Sequence, residues 1–203
     1  MEIMSQLSEW LEEFLTNAGI WAPVFSTILV FLEGILAFLP LVLFVTVNVK
    51  SLNILIGAPW GTILGCFISW IFSVLGGYCT FLLCRKGFQR FFLKHFKKDG
   101  IIRKFVDFVG EAKFSFIVLF MSCAFTPSFF MNVGAGLSHM GKRKYFLILL
   151  IGKLFCVCFL AYVGTGLIDC LTNPMKLIEM GIMLTISYFF SKFVGKRFDL
   201  EED

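Results

Sequence analysis

Apolar residues run in long blocks along this chain, at about 20–47, 54–84, 114–137, 145–168 and 177–191, and polar residues gather between them. A helix crossing the hydrocarbon core of a bilayer needs about 20 mostly apolar residues, so the blocks predict helical segments buried in lipid. Residues 5–17 differ. Leu7, Trp10, Leu11, Phe14 and Leu15 share one helical face and the glutamates lie elsewhere, the pattern of a short helix lying on a membrane surface.

Composition sharpens the picture. Hydrophobic residues make up 58% of the 203, aromatics 17% and charged residues only 16%, with a mean hydropathy of +0.87. These values lie far outside the soluble globular range and define an all-α integral membrane protein, read as one membrane domain over 1–203. No Lys or Arg precedes Lys50, so the basic n-region of a signal peptide is missing and the first apolar block is expected to remain in the mature protein. The seven cysteines stand singly in apolar runs, without CxxC pairs or histidines at ligand spacing, and read as small core residues. No metal and no cofactor are expected.

Charge orients the blocks. Of 18 basic residues, nine lie in the connector 85–113, three at Lys142, Arg143 and Lys144, and three at Lys192, Lys196 and Arg197. The positive-inside rule puts all three clusters in the cytoplasm. A single crossing by 114–137 would place one flanking cluster outside. A re-entrant hairpin over 114–141, entering and leaving on one face, removes the conflict, with Pro127 and Gly134-Ala135-Gly136 as the break. The stretch 20–48 carries similar punctuation at Pro23, Gly34 and Pro40 and reads as a second hairpin, entering from outside.

Each hairpin is followed by a span, and the two units, 20–84 and 114–168, have opposite orientation. An extra span over 175–191 follows, the N-terminus is external and the C-terminus is cytoplasmic. This is the pattern of an inverted repeat, in which paired broken segments meet near the midplane. The competing arrangement is five or six ordinary spans kinked at proline.

Within the first span, Gly57, Gly61, Gly65, Ser69, Ser73 and Gly77 recur every four residues, a stripe on which a neighbouring helix backbone can approach closely. Ionisable residues at depth carry more functional weight, because each is costly unless paired or hydrated. Glu33 and Lys153 are the two. Their structural readings are a half-helix cap for Glu33 and a snorkelling cation for Lys153. Asn48 and Asn132 are expected to close the two hairpins, as caps or as substrate contacts. Arg85 suits either a phosphate contact or an interfacial anchor.

His95 and His139 have no ligand partner at spacing and read as surface residues. No nucleophile, base and oxyanion set is visible, so an enzyme is not expected. Phenylalanines interleave with the cations of 85–113, which favours anionic lipid headgroups over nucleic acid.

The chain resembles the DedA/VTT superfamily, also called SNARE-associated Golgi proteins, in the branch common in Gram-positive bacteria. Glu33 followed by Pro40-Leu41 and Asn48, Gly61 to Ser69-Trp70, Phe81-x-x-x-Arg85, Phe125-Thr126-Pro127 leading to Asn132-x-x-Ala135-Gly136, and Lys142 to Gly152-Lys153 carry the resemblance. It covers about residues 20–168 and implies two facing re-entrant hairpins in a bacterial plasma membrane. It also implies lipid translocation, either phospholipid scrambling or return of undecaprenyl phosphate, with Glu33, Pro40, Asn48, Arg85, Pro127, Asn132, Gly136 and Lys153 along the route.

Two features depart from the family. Met121 and Ala124 stand where many members have an Arg and a Pro, and Leu41 to Val47 lacks the carboxylate of transporter-like members. Expected partners are lipids with anionic or phosphate-bearing headgroups, no nucleic acid, and a possible second copy of the chain. The alternatives are a proton-coupled transporter of small cations or drugs, with Glu33 carrying the proton, and a scaffold that organises the membrane through 86–113.

Overall fold

The computed structural model describes residues 17–36, 41–95, 100–123, 128–163 and 174–197. Residues 5–16 of the expected interfacial helix, Pro40 and Pro127 lie outside them. Every regular element among the described residues is helical. In chain order these are α1 (Trp21–Glu33), α2 (Leu41–Ile56), α3 (Trp60–Leu83), a π turn (Cys84–Phe88), α4 (Gln89–His95), α5 (Ile101–Glu111), α6 (Phe114–Ser122), α7 (Ser128–Leu137), α8 (Lys142–Val163) and α9 (Pro174–Arg197).

Two of these helices are long and apolar enough to cross a bilayer, Trp60–Phe92 through the π turn and Lys142–Tyr162. The others that carry the apolar blocks before Lys142 are short. Helices α1 and α2 have 13 and 16 residues, α6 and α7 only 9 and 10. At 1.5 Å per residue, α6 and α7 are each about 15 Å long or less, half of the roughly 30 Å hydrocarbon thickness.

Helices α3 and α8 pack against one another at the centre. Helices α1 and α2 lie on α3, α2 also touches α8, α6 and α9 lie on α8, and α7 lies on α3. The main core joins Phe81, Phe114, Ile117, Met121, Tyr145, Ile148 and Leu149 of α3, α6 and α8. A second one sets Val45 of α2 against Val157 and Leu160 of α8. Met121, at the position where the family places an arginine, is a buried core residue against which a Cβ on Gly152 would come to 2.6 Å.

The small-residue stripe turns around α3 as it ascends. A Cβ at Gly61 would stand 2.5 Å from the backbone nitrogen of Asn53, and one at Gly65 2.9 Å from Cα of Val49, both on α2. Gly77 instead faces Leu149 of α8 and Asn132 of α7. Gly57 has a different role from the packing expected of it. It precedes α3 at φ 79°, with open space around it, and serves the turn between α2 and α3, a conformation that L side chains rarely adopt.

A closer crossing lies one residue off the stripe. A Cβ on Gly34 would overlap the backbone of Gly76 and Gly77, and a Cβ on Gly76 would overlap the carbonyl oxygen of Phe31, so α1 meets α3 backbone to backbone.

The expected break at Asn48 is absent. Helix α2 runs on to Ile56, because its polar residues are satisfied without leaving the helix. Ser51 donates to the carbonyl of Val47 at 2.6 Å, and Asn53 exchanges hydrogen bonds with Thr62 of α3 at 3.0 and 3.1 Å.

Candidate functional site

Helix α1 ends where Gly34 lets it press on α3, and the carbonyls at a helix end must find donors outside the regular helical pattern. Gly34 O is satisfied from two directions, by Thr80 Oγ1 of α3 at 2.5 Å and by Asn132 Nδ2 of α7 at 3.2 Å. Asn132 in turn accepts from Tyr145 Oη of α8 at 2.5 Å. The end of α1 is thereby tied to α3, α7 and α8 by side chains of wholly different parts of the chain.

Glu33 sits in the same turn. Its Oε1 accepts from Ser128 Oγ at 3.0 Å and its Oε2 lies 3.4 Å from Lys153 Nζ, while Lys153 Nζ also donates to Ser128 Oγ at 2.9 Å. Glu33 is 7% exposed and Lys153 1%. The three side chains close a triangle, one negative and one positive charge with a hydroxyl between them. Ser128 opens α7, so the carboxylate it holds stands at the electropositive end of that helix. Lys153 is buried in this pair and does not snorkel to an interface.

Asn48 lies in the middle of α2, fully buried, and builds a separate cluster. Its Nδ2 donates to Ser69 Oγ of α3 at 3.0 Å, and its Oδ1 accepts from Ser26 and, at 3.4 Å, from Thr27 of α1. Neither Asn48 nor Asn132 ends a helix. Ser73, one turn beyond Ser69, is buried and its hydroxyl has no partner among the described protein atoms.

Arg85 meets carbonyls of its own protein. Its Nε donates to Gly136 O at 3.1 Å, and its guanidinium reaches the carbonyls of Ala135, Ser138 and Met140 at 3.1, 3.1 and 2.6 Å. It closes the C-terminal end of α7, where unpaired carbonyls carry the negative end of the helix dipole, and Gln89 Nε2 assists at Ser138 O, 2.6 Å away. This is an internal bonding role that neither expectation for Arg85, a phosphate contact or an interfacial anchor, included. Gly136 is there for space, since a Cβ would stand 2.7 Å from Phe81 O and Cys84 Cβ.

The structure therefore brings Glu33, Lys153 and Asn132 to one place, sets Asn48 and Ser69 in a second cluster, and puts Arg85 and Gly136 in a third. Ser128, Thr80, Tyr145 and the Gly34 and Gly76 crossing were not singled out from the sequence. The adjacent pair Gly76-Gly77 was the available signal for the crossing, and Ser128, the hydroxyl directly after Pro127, for the bridge. No group of three or more His, Cys, Asp or Glu side chains able to hold a metal gathers among the described residues.

Among the described residues, an all-helical bundle with two helices of spanning length and an ion pair sealed inside fits a helical membrane protein. Residues 47–166 match the VTT domain. The chain is also similar to the uncharacterized membrane protein YhjE of Bacillus subtilis strain 168, 30% identical over 188 residues, 93% of this chain and 87% of the relative. A second relative, the uncharacterized protein YqeD of the same organism, is 24% identical over 193 residues, 95% of this chain and 86% of its own length. No solved structure matches. The chain belongs to the VTT-domain family of membrane proteins, the DedA type.

Proposed function

We propose that this protein moves lipids across a bacterial plasma membrane, the headgroup passing the Glu33, Ser128 and Lys153 site while the acyl chains stay in the bilayer. The observation that carries the reading is the buried ion pair at the place where two interrupted segments meet. A charge pair in a membrane interior marks a substrate or ion route more often than a structural bond. Here the carboxylate belongs to the last residue of α1 and the hydroxyl to the first residue of α7.

The reading includes the two re-entrant hairpins and their inverted repeat. Gly110 lies against Ser138, a Cβ on the glycine coming to 3.1 Å, and Arg85 reaches Met140 O. These contacts favour a segment 114–137 that starts and finishes at one end of the bundle, where the cations of 85–94 and 142–144 also gather. Ser26 of α1 bonding Asn48 of α2 favours the same for the first pair. The spacing from Asn48 to Gly57 recurs from Asn132 to Gly141, and that from Asn48 to Ser69 recurs from Asn132 to Lys153. The multi-pass arrangement then has its N-terminus outside and its C-terminus in the cytoplasm. The protein works without bond-making chemistry, on anionic or phosphate-bearing lipids, with no nucleic acid.

The alternative of a proton-coupled transporter of small cations or drugs needs Glu33 to carry a proton, whereas its two carboxylate oxygens already face Ser128 and Lys153. Proteoliposomes carrying headgroup-labelled lipids test the proposal. The expected result is rapid lipid exchange between leaflets with the parent chain and loss of it with Glu33→Gln plus Lys153→Met, the double variant that removes both charges together. Lipid movement no faster than in empty liposomes would favour the scaffold. Unaltered movement in the double variant would remove the ion pair from the route.

A further inference from the structure

The ion pair is not the nearest feature to the lipid. A groove of about 620 Å³ opens on the outer side of the same α1 turn, between α1, the C-terminal half of α3 and the π turn. Its walls are Phe31 and Ile35 of the α1 end and Leu82 and Leu83 of α3, with Phe88 at one end. We propose that this groove holds one acyl chain of an anionic phospholipid, with the phosphate at Lys86. The inference rests on the lipid-translocation reading and names where a lipid docks before its headgroup enters.

Three observations select that occupant. First, the groove is open on a face where Leu83 is 59% and Phe88 64% exposed, and in a membrane protein such a face meets acyl chains. Its volume lies within the range of about 300–1,000 Å³ in which ligand-sized apolar groups bind. Secondly, Lys86 is the one charged residue lining it. Lys86 is exposed and makes no hydrogen bond or ion pair among the described residues, unlike its neighbour Arg85, whose donors are taken up by carbonyls. A lysine stem can lie along an apolar wall and present its ammonium to a phosphate at the rim.

Thirdly, the rim is built by the π turn Cys84–Phe88, a widened helical turn of a kind found at functional sites. Gly87 leaves the mouth clear, because a Cβ there would meet nothing within 4 Å. Glu33 lies about half a turn away from Phe31 and Ile35, on the opposite face of the same stretch. A chain in the groove therefore presses on the turn that holds the ion pair.

The full-length chain in detergent, titrated with phosphatidylglycerol and with phosphatidylcholine and read by native mass spectrometry, tests this. The parent is expected to prefer phosphatidylglycerol about fivefold, the effect of one cation close to an anionic lipid. Lys86→Gln should abolish that preference and leave phosphatidylcholine binding unchanged. Gly87→Phe, whose ring fills the mouth without a backbone clash, should weaken both lipids about tenfold or more, since each excluded methylene forfeits its burial, with an unchanged melting temperature.

Parental binding of both lipids by Gly87→Phe would overturn the groove, as would a preference that survives Lys86→Gln. So would unchanged lipid binding together with new protease sensitivity of residues 1–16 in Gly87→Phe, which would make that acidic segment the occupant. Lipid movement measured on the same preparations separates the two ideas. Groove-dependent binding without movement leaves the docking site standing and removes translocation. Movement that depends on the ion pair, with normal binding in Gly87→Phe, does the reverse.

Discussion

Removing one charge from the Glu33 and Lys153 pair should damage the fold more than removing both. With side chains 7% and 1% exposed and a 3.4 Å contact, neither group can recover its hydration when its partner is lost. Breaking a buried ion pair from one side costs about 3–5 kcal/mol. Glu33→Gln keeps an amide oxygen for Ser128 and Lys153, so its loss belongs at the lower end, about 3 kcal/mol. Lys153→Met leaves a carboxylate held by Ser128 and the N-terminal end of α7, and its loss is at least as large.

The double variant has no buried charge, and its glutamine can still accept from Ser128. It is expected to be no less stable than either single variant, which sets a coupling of about 3 kcal/mol between the sites. For a chain of this size each kcal/mol moves the midpoint by about 2–4 °C, so each single variant should melt about 6–12 °C below the parent. Melting curves of the four proteins in one detergent read the cycle. Additive losses, with the double variant melting lower than both singles by the sum of their shifts, would show that the two charges stand independently and would refute the pairing argument.

Gly61→Leu should cost about 3 kcal/mol, at the top of the overpacking range, because its Cβ meets α2 backbone at 2.5 Å, whereas Gly57→Ala should cost only about 1 kcal/mol, the strain of φ 79° in open space; comparative melting distinguishes them. Arg85→Lys keeps the charge but loses the planar fork that reaches four carbonyls, and should lower stability by about 3 kcal/mol, with faster hydrogen exchange across Ser128–Leu137 as its local sign. Cysteine-accessibility labelling on a cysteine-free background should place Lys98, Arg143 and the C-terminus on the cytoplasmic side and Lys50 and Thr172 outside; Arg143 on the side opposite Lys98 would eliminate the second hairpin.

What the sequence made legible was everything set by local pattern or by the cost of charge in hydrocarbon. The helical character, the two long helices and two ionisable residues that turn out to be buried all follow from composition and spacing. Even the drift of the small-residue stripe has a structural counterpart, with Gly61 and Gly65 against α2 and Gly77 against α7 and α8. The errors arose where a polar residue was assumed to mark a helix end. Asn48 looked like the close of a hairpin, yet it bonds Ser69 of α3, Ser51 bonds the preceding turn and Asn53 bonds Thr62 of α3, and α2 continues through all three. The role of Arg85 was hidden for another reason. Its acceptors lie some 50 residues away in sequence, on a helix end whose unpaired carbonyls exist only because α7 is short.

The three polar clusters differ in a way that bears on how the protein would work. Around Asn48 and around Arg85, one side chain joins several groups of neighbouring segments at once, and moving either residue breaks several buried hydrogen bonds together. These are fastenings. The cluster at Glu33 is different, because its parts come from the ends of two interrupted segments and from the middle of α8, and its serine hydroxyl can donate or accept. An incoming phosphate could take the place of the Glu33 carboxylate beside Lys153 with the charge balance at the lysine preserved, and Ser128 could turn its hydroxyl to either anion. On the translocation reading, the fastenings keep α2, α3 and α7 in place while only this triangle changes partners. That is why the paired removal of Glu33 and Lys153 charges, and no substitution in the other two clusters, is the change expected to stop lipid movement while the fold persists.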